Sequence, residues 1–132
     1  MSDDTSAADK PTILVVDDDW MNREMMQAYL GRSGFRVVVA HDAPSALEQA
    51  QALRPALIML DVRMGETDGF EVCQELKTRE ETRAIPVVML SALSTQEARE
   101  RASNVGAVDF ITKTMNLAAI VSQIRALIER VE

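Results

Sequence analysis

Cysteine is nearly absent: Cys73 is the single one in 132 residues, so no internal disulfide can form and no multi-cysteine zinc site exists. Cys73 falls in the apolar stripe of an expected helix, where a small packed thiol is a simpler reading than a reactive one. No secretory leader is expected either, since the opening MSDDTSAADKP is acidic and carries no apolar stretch. No apolar run nears the roughly 20 residues that a membrane-crossing helix needs. Positive charge is scarce, with 14 Lys and Arg against 21 Asp and Glu and a formal net charge of −7. That balance argues against direct contact with nucleic acid. The expectation is a cytoplasmic protein with neither a membrane nor a nucleic-acid partner.

What is present is a regular alternation. Apolar residues make up 47% and charged residues 27% of the chain, the profile of a globular domain with its own core. Residues 1–11 are polar and rich in Ser, Asp and Ala, an expected disordered tail, and residues 12–132 form the expected domain. Short aliphatic runs at Thr12–Val16, Arg36–Ala40, Ala56–Leu60, Ile85–Leu90 and Ala107–Ile111 read as strands buried on both faces of a parallel sheet. Helical spacing fills the gaps. The first stripe is Met21, Met25 and Tyr29 with Met26 and Leu30; the second is Ala43, Ala46, Leu47, Ala50 and Leu53; the third is Phe70, Cys73, Leu76 and Lys77. A last helix from Leu117 to about Arg130 carries Ile120, Val121, Ile124, Leu127, Ile128 and Val131 on one face.

Caps agree with these elements. Asp42 suits the start of the second helix, Asp68 with Glu71 forms a capping box for the third, and Ser94 with Glu97 another for the fourth. Gly31 or Gly34 would end the first helix and Gly106 the fourth. Five βα units predict an α/β fold, a doubly wound (βα)5 flavodoxin-like parallel sheet with strand order 2-1-3-4-5. The crevice for ligands then opens at the carboxyl ends of the first and third strands. The fourth helix stands apart: from Thr95 to Asn104 its apolar residues are Ala98 and Ala102 alone, so each turn buries less than a leucine-bearing one. It is expected to be the least firmly anchored helix and a candidate moving part, although plain solvent exposure accounts for the same composition.

ILVVDDDW, residues 13–20, runs four aliphatic residues into three carboxylates. Asp17, Asp18 and Asp19 follow the first strand and Asp61 the third, so the predicted topology brings them to one crevice. Carboxylates gathered in a partly desolvated cleft raise one another's pKa and stay ionised beside a cation. All-oxygen ligands suit a hard divalent ion, and Mg2+ is the usual choice where phosphate also binds. Ser91 after the fourth strand and Lys113 after the fifth reach the same rim. These are the ingredients of phosphoryl transfer: the metal and Lys113 neutralise charge on the transferring group, and Ser91 donates a hydrogen bond to one of its oxygens. Asp61 is then the nucleophile that forms an acyl phosphate. Singly, each residue has a plain explanation, since polar residues are common at strand ends, and Asp19 reads better as a helix cap. Four of five strands delivering a suitable group to one edge is what singles the set out.

The acidic pair Asp17-Asp18, Asp61 in LDVRMGETDG, Ser91-Ala92, and Phe110 and Lys113 in VDFITK together resemble the receiver domain of response regulators, the CheY-like family of two-component signalling. The steps from Asp61 are 30 residues to Ser91, 49 to Phe110 and 52 to Lys113. The resemblance covers the chain from Pro11 to Glu132 and implies a phosphorylation-dependent switch, not a turnover enzyme. By it, Asp61 accepts a phosphoryl group from a sensor histidine kinase or a phosphotransfer protein. Asp17, Asp18, Asp61 and the backbone carbonyl of Arg63 hold Mg2+, and Lys113 contacts the phosphoryl group. Ser91 swings toward that group and Phe110 turns inward, reshaping the face made by the fourth helix, fifth strand and fifth helix. That face would control a downstream protein or output domain, in a monomer or a phosphorylation-dependent dimer. A stand-alone receiver and the first part of a longer regulator both fit, with Met1 and the polar tail reading as a natural start.

Three features depart from the family pattern. Thr114 follows Lys113 where proline is usual and the bond is cis; a cis bond to a non-proline residue costs about 2.5–4 kcal/mol. Either this turn is trans and Lys113 approaches differently, or the site is strained. Gly65 replaces another frequent proline, which would loosen the loop after Asp61. Arg63 and Leu93, two residues past the phosphoacceptor and the hydroxyl, put a long cation and an aliphatic group where they would limit the attacking water. Other readings stand beside the switch. VVDDDW resembles the DxD motif of haloacid-dehalogenase-type phosphatases, with Asp17 as nucleophile and Asp19 as general acid, but Trp20-Met21 stand where Gly-Thr usually follows. A flavodoxin-like flavin binder would need a Ser/Thr/Gly-rich loop where three carboxylates stand and would repel its phosphate. A docking pseudo-receiver would have no use for the intact Asp, Ser and Lys set.

Overall fold

In the computed structural model, which describes residues 10–92, 94–113 and 116–131, the elements alternate as the aliphatic runs and helical stripes require. In chain order they are β1 (Thr12–Val16), α1 (Trp20–Arg32), β2 (Arg36–Ala40), α2 (Ala43–Leu53), β3 (Leu57–Asp61), β4 (Arg63–Met64), β5 (Thr67–Asp68), α3 (Gly69–Thr78), β6 (Val87–Ser91), α4 (Gln96–Asn104), β7 (Asp109–Thr112) and α5 (Leu117–Val131). The main sheet is parallel with order β2-β1-β3-β6-β7. β4 and β5 form a separate antiparallel hairpin, so β6 and β7 are the fourth and fifth strands and the order is the predicted one. Most of residues 1–11, with Leu93, Thr114 and Glu132, lie outside the described residues, and so do the Lys113–Thr114 bond and the tail. No helix among the described residues is long and apolar enough to cross a membrane.

Alternate strand residues face opposite sides of the sheet, and each side has its own core. Leu14, Val16, Ile58, Leu60, Val87 and Met89 pack with residues of α2, α3 and α4 such as Ala46, Leu76 and Ala102. Ile13, Val15, Leu57, Met59, Val88 and Leu90 pack with Met26 and Leu30 of α1 and Ile120, Ile124 and Ile128 of α5. β3 and β6 are buried along their whole length, which is why these strands show no polar alternation.

Several local expectations are corrected. The third, fourth and fifth strands run to Asp61, Ser91 and Thr112, past the last aliphatic residue, because the parallel ladder continues: Asp61 pairs with Leu90 and Ser91 with Thr112. In α1 the buried residues are Met26 and Leu30, whereas Met21 is 69% and Met25 47% exposed. Met21 and Met25 lie one residue, about 100°, round the helix from the line that meets the sheet. Lys77 belongs to the α3 stripe through its stem, while its ammonium donates to the carbonyls of Arg83 and Ile85 at 3.2 and 2.7 Å. Cys73 is fully buried, and burial pushes its thiol up to about 11, as a packed rather than reactive residue requires.

Helix ends follow the side-chain chemistry closely. Asp42 accepts from the Ser45 N–H at 2.9 Å and Asp68 from the Phe70 N–H at 2.8 Å. The cap of α4 is Thr95, not Ser94; its hydroxyl accepts from the Ala98 N–H at 3.1 Å. At the end of α1, Gly34 (φ 98°) donates to Gly31 and Phe35 to Leu30, the paired bonds of a Schellman motif.

Two glycines shape the segment after Asp61. Gly65 (φ 58°) turns the β4–β5 hairpin, a conformation closed to proline, whose φ is fixed near −65°. The segment is therefore a paired turn rather than a loosened loop. Gly69 opens α3 against the backbone of Asp61 and Val62; a Cβ there would collide with the Asp61 carbonyl oxygen, and the Gly69 N–H donates to Val62 at 2.7 Å.

Gly69→Ala is expected to lower stability by about 1–3 kcal/mol. Gly31→Ala, on α1 with open space around the new Cβ, should instead raise it by about 0.5–1 kcal/mol. Urea unfolding of the two variants checks the contrast.

Candidate functional site

The register sets the site. Val16 of β1 lies opposite Leu60 of β3, so the next residues, Asp17 and Asp61, stand side by side at the carboxyl edge of the sheet. Each is 7% exposed, while Asp18 is exposed. One carboxylate oxygen from each of Asp17, Asp18 and Asp61 falls within 4.8 Å of the others. Asp17 is fixed by its own helix: its Oδ1 accepts from the Asp19 N–H at 2.9 Å, its Oδ2 from Asn22 at 3.4 Å, and its carbonyl from Arg23 at 2.8 Å.

Asp61 is held at both oxygens. Oδ1 accepts from the Arg63 N–H at 3.3 Å and Oδ2 from Lys113 Nζ at 3.0 Å. Lys113 Nζ also stands 3.5 Å from Asp17. The lysine is placed by its backbone, whose N–H donates to the Ser91 carbonyl at 2.8 Å and joins the ends of β6 and β7. Asp61, Arg63, Ser91, Thr95, Arg101 and Lys113 line an open cleft of about 470 Å³. Phe110 is not in this cleft: paired with Met89 inside the sheet, it is 7% exposed, with the Arg99 guanidinium 5.0 Å over its ring. Its ring packs in the core on the α2–α3–α4 side of the sheet.

The electrostatics follow from burial. Burial pushes the Asp61 carboxyl above its ordinary value; the hydrogen bond from Lys113 opposes this, and the neighbouring charge of Asp17 adds to it. Burial works against the Lys113 charge, but its hydrogen bond to Asp61 and the charges of Asp61 and Asp17 outweigh that and raise its pKa. Three carboxylates facing one ammonium leave surplus negative charge, and with oxygen donors alone they fit a hard divalent cation.

The predicted residues Asp17, Asp18, Asp61, Ser91 and Lys113 therefore meet at one edge. Asp19 does not share their role: its Oδ1 caps α1 by accepting from the Met21 N–H at 2.9 Å, which leaves the phosphatase reading without its general acid. The sequence reading missed Asn22 and Arg23, whose signal was their place in the helical turn after the acids, and Gly69, whose signal was the Asp-Gly that closes LDVRMGETDG. It also missed Arg101, for which position in the chain gave no sign.

Fold and site together define a class, the doubly wound α/β domain with an acid cluster, a hydroxyl and a lysine at one sheet edge. The chain matches the response regulator receiver domain family over residues 13–125 and belongs to that family. It is 36% identical over 122 residues to the DNA-binding dual master transcriptional regulator RpaA of Synechocystis sp., an alignment covering 92% of this chain and 51% of that protein. It is 40% identical over 115 residues to the response regulator PleD of Caulobacter vibrioides, covering 87% of this chain and 25% of that one. The chain thus spans about half the length, or less, of these curated relatives. Among solved structures, the chemotaxis protein CheY4 of Vibrio cholerae is similar with a TM-score of 0.84 and 27% identity, over 89% of this chain and 98% of that one. The signal receiver domain of a signal transduction histidine kinase from Syntrophus aciditrophicus gives a TM-score of 0.83 and 32% identity, over 92% of each chain.

A raised Asp61 pKa means that the folded chain binds this proton more tightly than the unfolded chain. Its contribution to stability therefore falls as pH rises from the ordinary value of 3.8 through the raised one. In chelator at pH 7, Asp61→Asn is expected to melt at a higher temperature than the wild type, and the gap should close as pH falls below about 4. Circular dichroism melts across that range check the sign.

Proposed function

We propose that this receiver domain, residues 12–132, is a phosphorylation-controlled switch in which Asp61 takes a phosphoryl group from a sensor histidine kinase or a phosphotransfer protein. The observation that carries this reading is the 3.0 Å contact between Lys113 Nζ and a buried Asp61 oxygen in a cleft shared with Ser91. An Asp61 oxygen attacks phosphorus, the P–N bond to the donor histidine breaks, and a P–O bond forms on the carboxylate. The Arg63 N–H orients the carboxylate. Lys113 then turns its ammonium to a phosphoryl oxygen, and Ser91 donates its hydroxyl to another. Asp17, Asp18, Asp61 and the Arg63 carbonyl would hold Mg2+, which when bound neutralises charge on the carboxylates and the phosphoryl oxygens.

The domain acts by binding rather than by turnover, with its own phosphorylation and hydrolysis as the chemistry it assists. Its readout is the face of α4, β7 and α5, where an added charge near Ser91 biases a two-state equilibrium. A downstream protein or an output domain reads that face, in a monomer or a phosphorylation-dependent dimer, in the cytoplasm.

With acetyl phosphate and Mg2+, mass spectrometry should find one phosphoryl group on the wild type and none on Asp61→Asn; labelling that persists in the variant moves the nucleophile elsewhere. Lys113→Ala should slow the labelling by about 10²-fold. Trp20, 64% exposed beside the acids, should change its fluorescence on Mg2+ titration, and a flat titration would remove the metal assignment.

A further inference from the structure

Arg101 reaches the cleft of Asp61, Ser91 and Lys113 from α4 instead of from a strand end. Its guanidinium carbon stands 4.5 Å over the centre of the Phe70 ring, and its Nη2 is 2.7 Å from Asp68. A guanidinium carries five N–H donors, and the bond to Asp68 is made from a single one of its nitrogens. Both partners are solvent-reached, at 52% and 32% side-chain exposure, so the pair is weak and easily exchanged. α4 is otherwise lightly held: Ala102 is its one buried residue, with Ala98 partly buried and Arg99 5.0 Å over the Phe110 ring. We propose that Arg101 is a second reader of the phosphoryl group: it leaves Asp68 for the group on Asp61 and draws α4 with it.

The inference rests on the phosphoacceptor reading. A phosphoryl group brings close to two negative charges and three acceptor oxygens against the single charge of Asp68, and arginine binds such a group with two parallel bonds. Glu97, one turn earlier on α4, lines the same cleft, so the new charge attracts one α4 side chain and repels its neighbour. Arg101 touches no reacting atom before transfer, which makes it a positioning residue that carries the signal outward.

The test uses the intact chain, beryllofluoride with Mg2+ as the phosphoryl mimic, and titration calorimetry. Asp68→Asn keeps the helix cap, since Asn caps as well as Asp, but removes the competing charge; it should tighten beryllofluoride binding about three- to fivefold. Arg101→Gln should weaken it. In the Arg101→Gln background, Asp68→Asn should have no effect, the non-additivity of a shared partner. An Arg101 that merely pins α4 predicts shifts of the same sign for both single variants, or none for Asp68→Asn, and either result overturns the proposal alone. A wild type that binds no beryllofluoride overturns the phosphoacceptor reading and the proposal with it. Urea unfolding of each variant confirms that native protein was titrated.

Discussion

The contact between Lys113 and Asp61 orders the rest of the site. A carboxylate 7% exposed beside a second acid is costly to ionise, and a single ammonium at 3.0 Å offsets only part of that cost. The residue is thereby left short of positive charge, a condition a metal ion would relieve. A carboxylate held in this state attracts cations without any strained backbone at Asp61 itself.

Everything needed to keep that contact is built from apolar packing on two sides of one sheet. β1, β3 and β6 are clamped between the α1–α5 core and the α2–α3–α4 core, so their carboxyl ends cannot slide without breaking both. Gly69 locks the following backbone from behind by abutting Asp61 and Val62. The opposite wall of the cleft is made differently. α4 is seated by the ring contacts of Arg99 and Arg101 and by the ion pair to Asp68, with a single buried alanine beneath it. One wall is fixed by buried aliphatic side chains, and the other adds cation–ring contacts and an exposed ion pair to a thin alanine seat.

Much of this was legible in the sequence because burial on both faces leaves an uninterrupted aliphatic run. Thr12–Val16 and Arg36–Ala40 were delimited to the residue, and the strand order followed from the alternation together with the chain length. Asp61, Ser91 and Lys113 were found because each stands where such a run stops. The misses came from features with no period. Whether Met25 or Met26 faces the sheet depends on the azimuth of α1, which a helix whose apolar stripe is spread over two adjacent lines does not disclose. Ser94 and Thr95 are equivalent caps by chemistry, and backbone geometry alone separates them. Gly65 looked like a lost constraint because its role, a positive φ in a two-residue turn, appears only once β4 and β5 are paired. Arg101 meets Asp68 across 33 positions, a tertiary contact with no local signature.

The way α4 is seated also decides what can disturb it. Contacts between exposed charges weaken with dissolved salt over a screening length of about 10 Å at 0.1 M, whereas the aliphatic seam under α5 carries no charges for that screening to act on. Charge screening therefore bears on the seat of the fourth helix and not on that of the fifth.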